Sequence, residues 1–208
     1  MVIKICGITR IEDAHHAVAC GANALGFIFW PQSPRFIDPF RARAIVASLP
    51  PFVTTVGVFV NQPAEYVNGV ASLAGLGAVQ LHGDEDAAFA SLVRRPVIKA
   101  LGFGEGSVNH ASWASHYTLL LDAHDPEQRG GTGRTIDWSR AAAIAATRRV
   151  LLSGGITPQN IAQAISVVQP FGVDVSSGVE DVPGIKNHER VRALFEALHV
   201  SNHVPTRS

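Results

Sequence analysis

The stretch "IKICGITRIEDAHHAVAC" (residues 3–20) contains the unit that decides the fold of this chain. At its start, isoleucine alternates with Lys4 and Cys6, which is typical of a β-strand with two different faces. Gly7 interrupts this run, and apolar residues then recur at helical spacing over residues 11–20. We therefore predict a strand, a short loop and a helix, with Cys6 as the last residue of the strand.

The same unit recurs along the whole chain. Short apolar runs are followed by Gly, Pro, Asp or Ser breaks and then by helical patterns. Predicted strands cover residues 3–6, 24–29, 54–60, 78–82, 97–101, 117–122, 150–154 and 173–177, and predicted helices cover 11–20, 39–48, 63–73, 85–94, 105–113, 137–146, 158–167 and 187–198. Strict alternation implies parallel strands joined by crossover helices.

Eight such units in 208 residues predict an α/β fold, a single (β/α)8 TIM barrel. A doubly wound open sheet is the alternative, but no GxGxxG motif follows the first strand. We expect one domain over residues 1–208, with residues 199–208 forming a disordered tail.

The charge balance and the cysteine content limit the partners and the compartment. Lysine plus arginine and aspartate plus glutamate number 17 each, so no overall basic field would attract nucleic acid or a membrane surface. Two cysteines are too few for a disulfide framework, and the N-terminus resembles no secretory signal. The apolar runs are shorter than the ~20 residues of a membrane span. We expect a cytoplasmic protein with a small-molecule substrate and no nucleic-acid or membrane partner, and a monomer rather than a homodimer.

Polar residues that close strands are the candidates for chemistry, because catalytic groups of such barrels lie at the carboxyl ends of the strands. Cys6 closes the first predicted strand and Asp122 the sixth. Each has a purely structural alternative: a small buried side chain for Cys6 and the start of a turn for Asp122.

Three pairs of polar residues are spaced two apart and therefore share a strand face: Lys4 with Cys6, Gln80 with His82, and Asp174 with Ser176. Because buried polar groups need partners, we predict an ion pair between Lys4 and Asp174. His82 alone is more typical of a hydrogen-bonded core or rim histidine than of an acid or a base.

Two glycine-containing loops predict an anion site. "LLSGGITPQN" (151–160) and "DVSSGVE" (174–180) each place glycine between a strand and a helix start, where free backbone N–H groups can bind an anion. They follow the seventh and eighth strands, where many such barrels bind phosphate. Tight turn geometry is the alternative for either loop alone, but together they indicate phosphate.

Two further loops follow predicted strands. Arg35, in "WPQSPRFID" (30–38), can bind a carboxylate through two hydrogen bonds, although a solvated arginine is equally compatible with the sequence. The polar, glycine-rich residues 123–135 suggest a lid that excludes water. No metal-ligand spacing occurs, so we expect no metal and no other cofactor.

Seven segments in order resemble the phosphoribosylanthranilate isomerase family of tryptophan biosynthesis: "KICGIT" (4–9), "GFIFWPQSPR" (26–35), "VGVFVN" (56–61), "VQLHGDE" (79–85), "GGTGRTIDW" (130–138), "LSGGITPQN" (152–160) and "DVSSGVEDVPGIK" (174–186). The resemblance extends from residue 2 to about residue 197. Two residues depart from the family pattern: Ile136 stands where an aromatic is common, and Asn187 where an aspartate is usual. Asparagine can also cap a helix, so we expect Asn187 to cap the last one.

The resemblance implies a (β/α)8 barrel that catalyses an Amadori rearrangement of N-(5′-phosphoribosyl)anthranilate without a cofactor. It implies that Cys6 is the general base, Asp122 the general acid and Arg35 the group that binds the anthranilate carboxylate. The phosphate is then expected at Gly154, Gly155, Ser177 and Gly178, and other substrate contacts at Gln80, His82 and Asp174. We expect Lys4 to lower the pKa of the Cys6 thiol.

Two other functions share the same fold. One is a different sugar-phosphate isomerisation or epimerisation, for which aspartates or metal-binding histidines are expected at the strand ends in place of Cys6. The other is a barrel that only binds phosphoribosyl compounds, which an intact acid and base pair disfavours.

Overall fold

The computed structural model describes residues 1–103, 109–123 and 136–201. Within these ranges eight parallel strands pair in chain order and close into a barrel, which confirms the predicted fold. The strands are β1 (Val2–Cys6), β2 (Ala24–Ile28), β3 (Thr54–Phe59), β4 (Ala78–Leu81), β5 (Val97–Gly102), β6 (Thr118–Asp122), β7 (Val150–Leu152) and β8 (Gly172–Val175).

Helices follow most of the strands: α1 (Ile11–Cys20), α2 (Pro39–Val46), α3 (Ala64–Ala74), α4 (Ala87–Ala90), α5 (Trp138–Ala145), α6 (Ile161–Val168) and α7 (His188–Ser201). The Asp38 carboxylate accepts the backbone N–H of Phe40 and so starts α2, with Pro39 at the first helical position. The Asn187 side chain accepts the backbone N–H of Arg190, which confirms the predicted cap of the last helix.

The structure corrects two predicted helices. Only Ala87–Ala90 of residues 85–94 is helical, because Asp86 caps the start and the Ser91 hydroxyl donates to the carbonyl of Ala88 at the end. Residues 109–117 form turns instead of the end of the helix predicted at 105–113.

Other predictions fall partly or wholly beyond the described ranges. Residues 105–108 of that helix, residues 124–135 of the predicted lid and residues 202–208 of the predicted tail lie outside the described residues. Helix α7 continues to Ser201, three residues into the segment predicted as a tail.

The strands of the barrel separate an apolar outer layer, packed under the helices, from a lumen that contains both apolar and polar side chains. Most buried apolar side chains, such as Leu25 and Phe27, pack between the strands and the helices. The lumen contains two small apolar clusters, one around Ala24, Val56 and Ala78 and the other around Ala100, Leu120 and Leu151. Polar side chains occupy the carboxyl end of the lumen instead, because they follow the apolar ones at a spacing of two along the strands.

A short hairpin after β8 is an element that the periodicity did not predict. Strands β9 (Glu180–Val182) and β10 (Ile185–Lys186) pair antiparallel, and Gly184 between them has a φ of 84°. The hairpin brings Glu180 and Lys186 to the carboxyl end of the barrel, where they are 5% and 2% exposed and Lys186 Nζ donates to the carbonyl oxygen of Cys6.

None of the helices that the structure describes is both long enough and apolar enough to cross a bilayer.

Candidate active site

A cavity of about 450 Å³ opens at the carboxyl ends of the strands. Its walls include six of the residues predicted from the sequence: Cys6, Arg35, Gln80, His82, Asp122 and Asp174. They come from five different strands or the loops that follow them, so only the closed barrel brings them together.

Cys6 is buried at the end of β1, and Gly26 of the neighbouring β2 makes room for it. A Cβ atom at position 26 would lie 2.6 Å from Cys6 Sγ and 3.1 Å from Lys4 Cε. Glycine is therefore required beside the thiol, since any side chain there would displace the sulfur atom.

The predicted ion pair between Lys4 and Asp174 is present. Lys4 Nζ donates to Asp174 Oδ1 at 2.9 Å, and β1 and β8 pair with these two residues in register. Burial favours the neutral amine, but the Asp174 carboxylate and Cys6 outweigh it and raise the pKa of Lys4 to about 12.

The pKa of the Cys6 thiol differs from the prediction. Burial raises this pKa; the Lys4 ammonium opposes the change, the Asp174 carboxylate adds to it, and the Lys186 ammonium opposes it. Lys4 acts in the predicted direction, but the net pKa is raised because the thiol is enclosed in the lumen.

Asp122, at the end of β6, faces His82 across the lumen. Asp122 Oδ1 accepts the backbone N–H of Ala123 at 2.9 Å, and Asp122 Oδ2 lies 3.4 Å from His82 Nε2. On its other side the imidazole accepts a hydrogen bond, since Gln80 Nε2 lies 2.9 Å from His82 Nδ1. Gln80 Oε1 is buried and has no partner among the described residues.

Arg35 is a buried side chain held by an ion pair, and the solvated alternative is excluded. Its Nε and Nη2 donate to both oxygens of Glu180 at 2.8–3.1 Å, and Lys186 Nζ donates to Glu180 Oε1 at 2.7 Å. The Arg35 side chain also crosses Gly7, where a Cβ atom would lie 2.7 Å from Arg35 Cδ. The remaining N–H groups of the guanidinium are the donors that a ligand carboxylate can use.

Glu180 and Lys186 connect this arginine to the strand that carries the thiol. Lys186 Nζ donates to the carbonyl oxygen of Cys6 as well as to Glu180. Burial acts against the charge of Glu180, but the hydrogen bonds from Arg35 and Lys186 outweigh it and lower its pKa. Burial lowers the pKa of Lys186, although Glu180 opposes the change.

The two predicted anion loops form one recess beside the cavity. Gly154, Gly155, Ser177 and Gly178 all line it, together with Asp122 of the main cavity. Within the described ranges, none of the backbone N–H groups of these four residues donates to a protein acceptor. Four unpaired donors around one recess provide the hydrogen bonds that a phosphate group needs.

The two loops are also packed tightly against each other. A Cβ atom at position 178 would overlap the carbonyl oxygen of Ile156, so Gly178 has a structural role in addition to any contact with an anion. Gly155 has a φ of 64°, and its carbonyl accepts a hydrogen bond from Asn160 Nδ2 at 2.8 Å. Asn160 thereby holds the conformation of the loop that lines the recess.

Three functional residues were missed from the sequence: Gly26, Glu180 and Lys186. A glycine inside a strand is a known signal of close approach, so Gly26 could have been identified. Glu180 and Lys186 lie in a quoted motif. The contact of Glu180 with Arg35, 145 residues away, and that of Lys186 with Cys6 leave no local signal.

Across the part of the chain that the structure describes, no group of three or more His, Cys, Asp or Glu side chains is arranged to hold a metal ion. The expected absence of a metal and of any other cofactor stays a prediction.

Comparison with known proteins identifies the family. Residues 3–197 match the family model described as N-(5′-phosphoribosyl)anthranilate isomerase. A protein of that name from Citrifermentans bemidjiense is 50% identical over 195 residues, covering 93% of this chain and 94% of the relative. The crystal structure of phosphoribosyl anthranilate isomerase from Thermotoga maritima has a TM-score of 0.89 at 45% identity, covering 96% of this chain and 100% of the other.

A further solved structure is a phosphoribosyl anthranilate isomerase in complex with reduced 1-(o-carboxyphenylamino)-1-deoxyribulose 5-phosphate. It has a TM-score of 0.83 at 41% identity, and the match covers 96% of this chain and 100% of the other. The family match spans nearly the whole chain, and the relatives are matched over nearly their whole length. The chain belongs to the N-(5′-phosphoribosyl)anthranilate isomerase family.

Proposed function

We propose that the chain converts N-(5′-phosphoribosyl)anthranilate into 1-(2-carboxyphenylamino)-1-deoxyribulose 5-phosphate, by general acid and base catalysis with Asp122 and Cys6. The observation that carries the proposal is that both side chains line one cavity, between a buried arginine and a recess of unpaired amides. The substrate has a carboxylate at one end and a phosphate at the other, so these two sites place its reacting carbons between them.

Asp122 performs the first proton transfer. Its protonated carboxyl donates a proton to the ring oxygen of the ribose, the bond between that oxygen and C1 breaks, and a Schiff base forms. The backbone N–H of Ala123 and the His82 ring fix the orientation of the carboxyl group at 2.9 Å and 3.4 Å. One carboxyl oxygen of Asp122 contacts each of these groups, so rotation of the acid is restricted.

Cys6 performs the second proton transfer. Its thiolate removes the proton from C2, which gives an enolamine that tautomerises to the ketone. Asp122 gives one proton and Cys6 receives one, so exchange with water resets both groups after each turnover. Since burial raises the pKa of Cys6, the Lys4 and Lys186 ammonium groups are needed to keep the thiolate accessible.

The ends of the substrate are held by other residues. Arg35 binds the anthranilate carboxylate with the guanidinium hydrogens that Glu180 leaves unused. The backbone amides of Gly154, Gly155, Ser177 and Gly178 bind the phosphate.

Three lumen residues contact the middle of the substrate. Gln80 Oε1, which has no partner in the described residues, accepts a hydrogen bond from a ribose hydroxyl. His82 lies beside Asp122, within reach of the same ring. Asp174 Oδ1 is used by Lys4, which leaves its second oxygen for a hydroxyl group of the ribose.

The test is an assay of the purified protein with phosphoribosylanthranilate, followed by the loss of anthranilate-type fluorescence. Turnover in buffer that contains a strong chelator is the expected result, because the reaction needs only proton transfers. Absence of turnover by a folded protein would contradict the proposed activity, and turnover only after a divalent ion is added would contradict the metal-free mechanism. The monomeric state, the cytoplasmic location and the single domain over residues 1–208 stay predictions, and light scattering of the purified protein tests the first.

A further inference from the structure

Gln80, His82 and Asp122 form a line of three polar side chains across the lumen. Gln80 is 1% exposed and His82 follows it by two residues, so both face inward from β4 and its end. The contacts are 2.9 Å from Gln80 Nε2 to His82 Nδ1 and 3.4 Å from His82 Nε2 to Asp122 Oδ2. Asp122, the proposed acid, is therefore the last of three side chains in contact, and the first is the buried amide of Gln80.

The first contact determines where the imidazole carries its proton. With its amide nitrogen facing the ring, Gln80 donates, so His82 Nδ1 is the acceptor and a ring with a single proton carries it on Nε2. Nε2 is the atom that faces the Asp122 carboxyl group. A ring with its proton on Nδ1 would present a lone pair to Asp122 instead.

We propose that Gln80 is a positioning residue that fixes the Nε2–H tautomer of His82, so that this N–H group stabilises the Asp122 carboxylate left after proton transfer. This inference rests on the proposed role of Asp122 as the acid. In the step, the O–H bond of Asp122 breaks and a new O–H bond forms on the ribose ring oxygen. The electron pair stays on the carboxylate, the proton on Nε2 stays on the imidazole, and the contact between the two shortens as charge develops.

The other charged groups around Asp122 do not replace this contact. Asp174 of β8 lines the same recess, and its charge is matched by Lys4 at 2.9 Å. Cys6 of β1 lines the cavity and is uncharged until its thiol ionises. Within the described part of the chain, His82 is thus the side chain that faces Asp122 at ion-pair distance, with its Nε2 3.4 Å from Asp122 Oδ2.

A further cation lies on β5, close to the loop that follows His82, and it is also paired. Lys99 Nζ donates to the carbonyl oxygen of Gly83 at 2.7 Å and to Glu85 Oε2 at 3.0 Å. Its charge is therefore matched by the Glu85 carboxylate.

The test compares Gln80→Glu and Gln80→Leu with Gln163→Glu as the control, since Gln163 is exposed on α6 and carries the same change of charge. The ¹⁵N resonances of the His82 ring, assigned with a His82→Asn variant, report its tautomer without any need for turnover. The wild-type ring is expected to carry its proton on Nε2 at neutral pH.

A carboxylate at position 80 accepts from Nδ1–H, so the ring gains a second proton and sits between two carboxylates. The ¹⁵N resonances of the His82 ring are then expected to show a proton on both nitrogens. The imidazolium favours the ionised form of Asp122, so kcat should fall about tenfold while KM changes less than about threefold. In Gln80→Leu the tautomer is no longer fixed, and we expect a mixture of both tautomers with a smaller loss of kcat.

A wild-type ring that carries its proton on Nδ1 would overturn the inference. A Gln80→Glu enzyme with the His82 ring resonances and the kcat of the Gln163→Glu control would overturn it as well. A wild-type protein that does not turn over the substrate would instead refute the proposed function, while the ring resonances would still report the tautomer.

Discussion

Replacing Gly26 with alanine should displace the Cys6 thiol without changing either binding end of the site. The new Cβ atom would lie 2.6 Å from Cys6 Sγ. Ordinary non-bonded contacts between such atoms are about 3.5–4.0 Å, so the sulfur atom has to move by about 1 Å. A misplacement of that size costs on the order of 10² in rate. We therefore expect kcat to fall about 100-fold, while KM, which depends on the carboxylate and phosphate contacts, changes little.

The same overlap predicts a loss of stability. Overpacking a core position costs about 1–3 kcal/mol, so the Tm should fall by several degrees. Removing the sulfur atom with Cys6→Ala relieves the shortest contact of the added Cβ atom, while those at 3.1 Å to Cys6 Cα and Lys4 Cε remain. Gly26→Ala should therefore destabilise the Cys6→Ala background less than the wild type. Non-additive effects of this kind are expected for side chains in contact.

The control is Gly69→Ala on α3, where an added Cβ atom has no neighbour within 4 Å. Alanine there should stabilise the helix by about 0.5–1 kcal/mol and leave kcat unchanged. Steady-state kinetics and thermal melting of the wild type, the three single variants and the Gly26→Ala/Cys6→Ala double variant measure both effects. A folded Gly26→Ala enzyme with the kcat of the wild type would refute the reasoning, because the displaced thiol would then have no part in the chemistry.

Further predictions concern the phosphate site, the carboxylate site at Arg35 and the buried carboxylate of Asp13. Gly155 has a φ of 64°, so Gly155→Ala should strain the phosphate loop and raise KM more than it lowers kcat. Equal inhibition of the variant and of the wild type by inorganic phosphate would contradict a phosphate site in this loop. In Arg35→Lys the side chain cannot form the bidentate contact with Glu180 and is no longer held in place to bind the substrate carboxylate. KM should therefore rise about tenfold or more, and an unchanged KM would exclude a contact between Arg35 and the substrate carboxylate.

For Asp13, burial disfavours the charge, but hydrogen bonds from Arg10, the Lys186 backbone and His188 outweigh it and lower the pKa. The stability that the lowered pKa gives is present above the unfolded-state pKa and is lost as the pH falls below it. Asp13→Asn should therefore reduce the Tm most at neutral pH and least under acid conditions. A reduction of the Tm that is equal at every pH would contradict this dependence of stability on the Asp13 charge.

The repeating strand and helix pattern was enough to predict the barrel, because parallel strands buried on both faces produce long apolar runs that glycine and proline interrupt. The bounds of α1 match the predicted residues 11–20, where Gly21 ends the helix in a left-handed conformation. Helix α4 was predicted too long. It ends where the Ser91 hydroxyl donates to the carbonyl of Ala88, and a single serine does not interrupt the helical spacing of apolar residues. The β9–β10 hairpin was not predicted, since strands of two or three residues carry no recognisable pattern.

The positions of the site residues followed from the barrel rule, but their electrostatics did not. Because side chains that close parallel strands meet at one end of the barrel, Cys6 and Asp122 could be placed in one cavity, and Lys4 could be paired with Asp174. The net pKa change of Cys6 depends on how deeply the thiol is buried. Burial is a property of the folded structure and outweighs the neighbouring Lys4.

The central claim is that Cys6 is a catalytic base, and the kinetics of Cys6→Ala test it most directly. Cys20→Ala is the control, because Cys20 lies on α1 near His16, away from the cavity residues. The account predicts that Cys6→Ala folds, keeps KM roughly unchanged and loses kcat on the order of 10²–10⁴-fold. Cys6→Ser should be almost as slow, since a hydroxyl ionises far less readily than a thiol. A well-folded Cys6→Ala enzyme with nearly the kcat of the wild type would contradict the account.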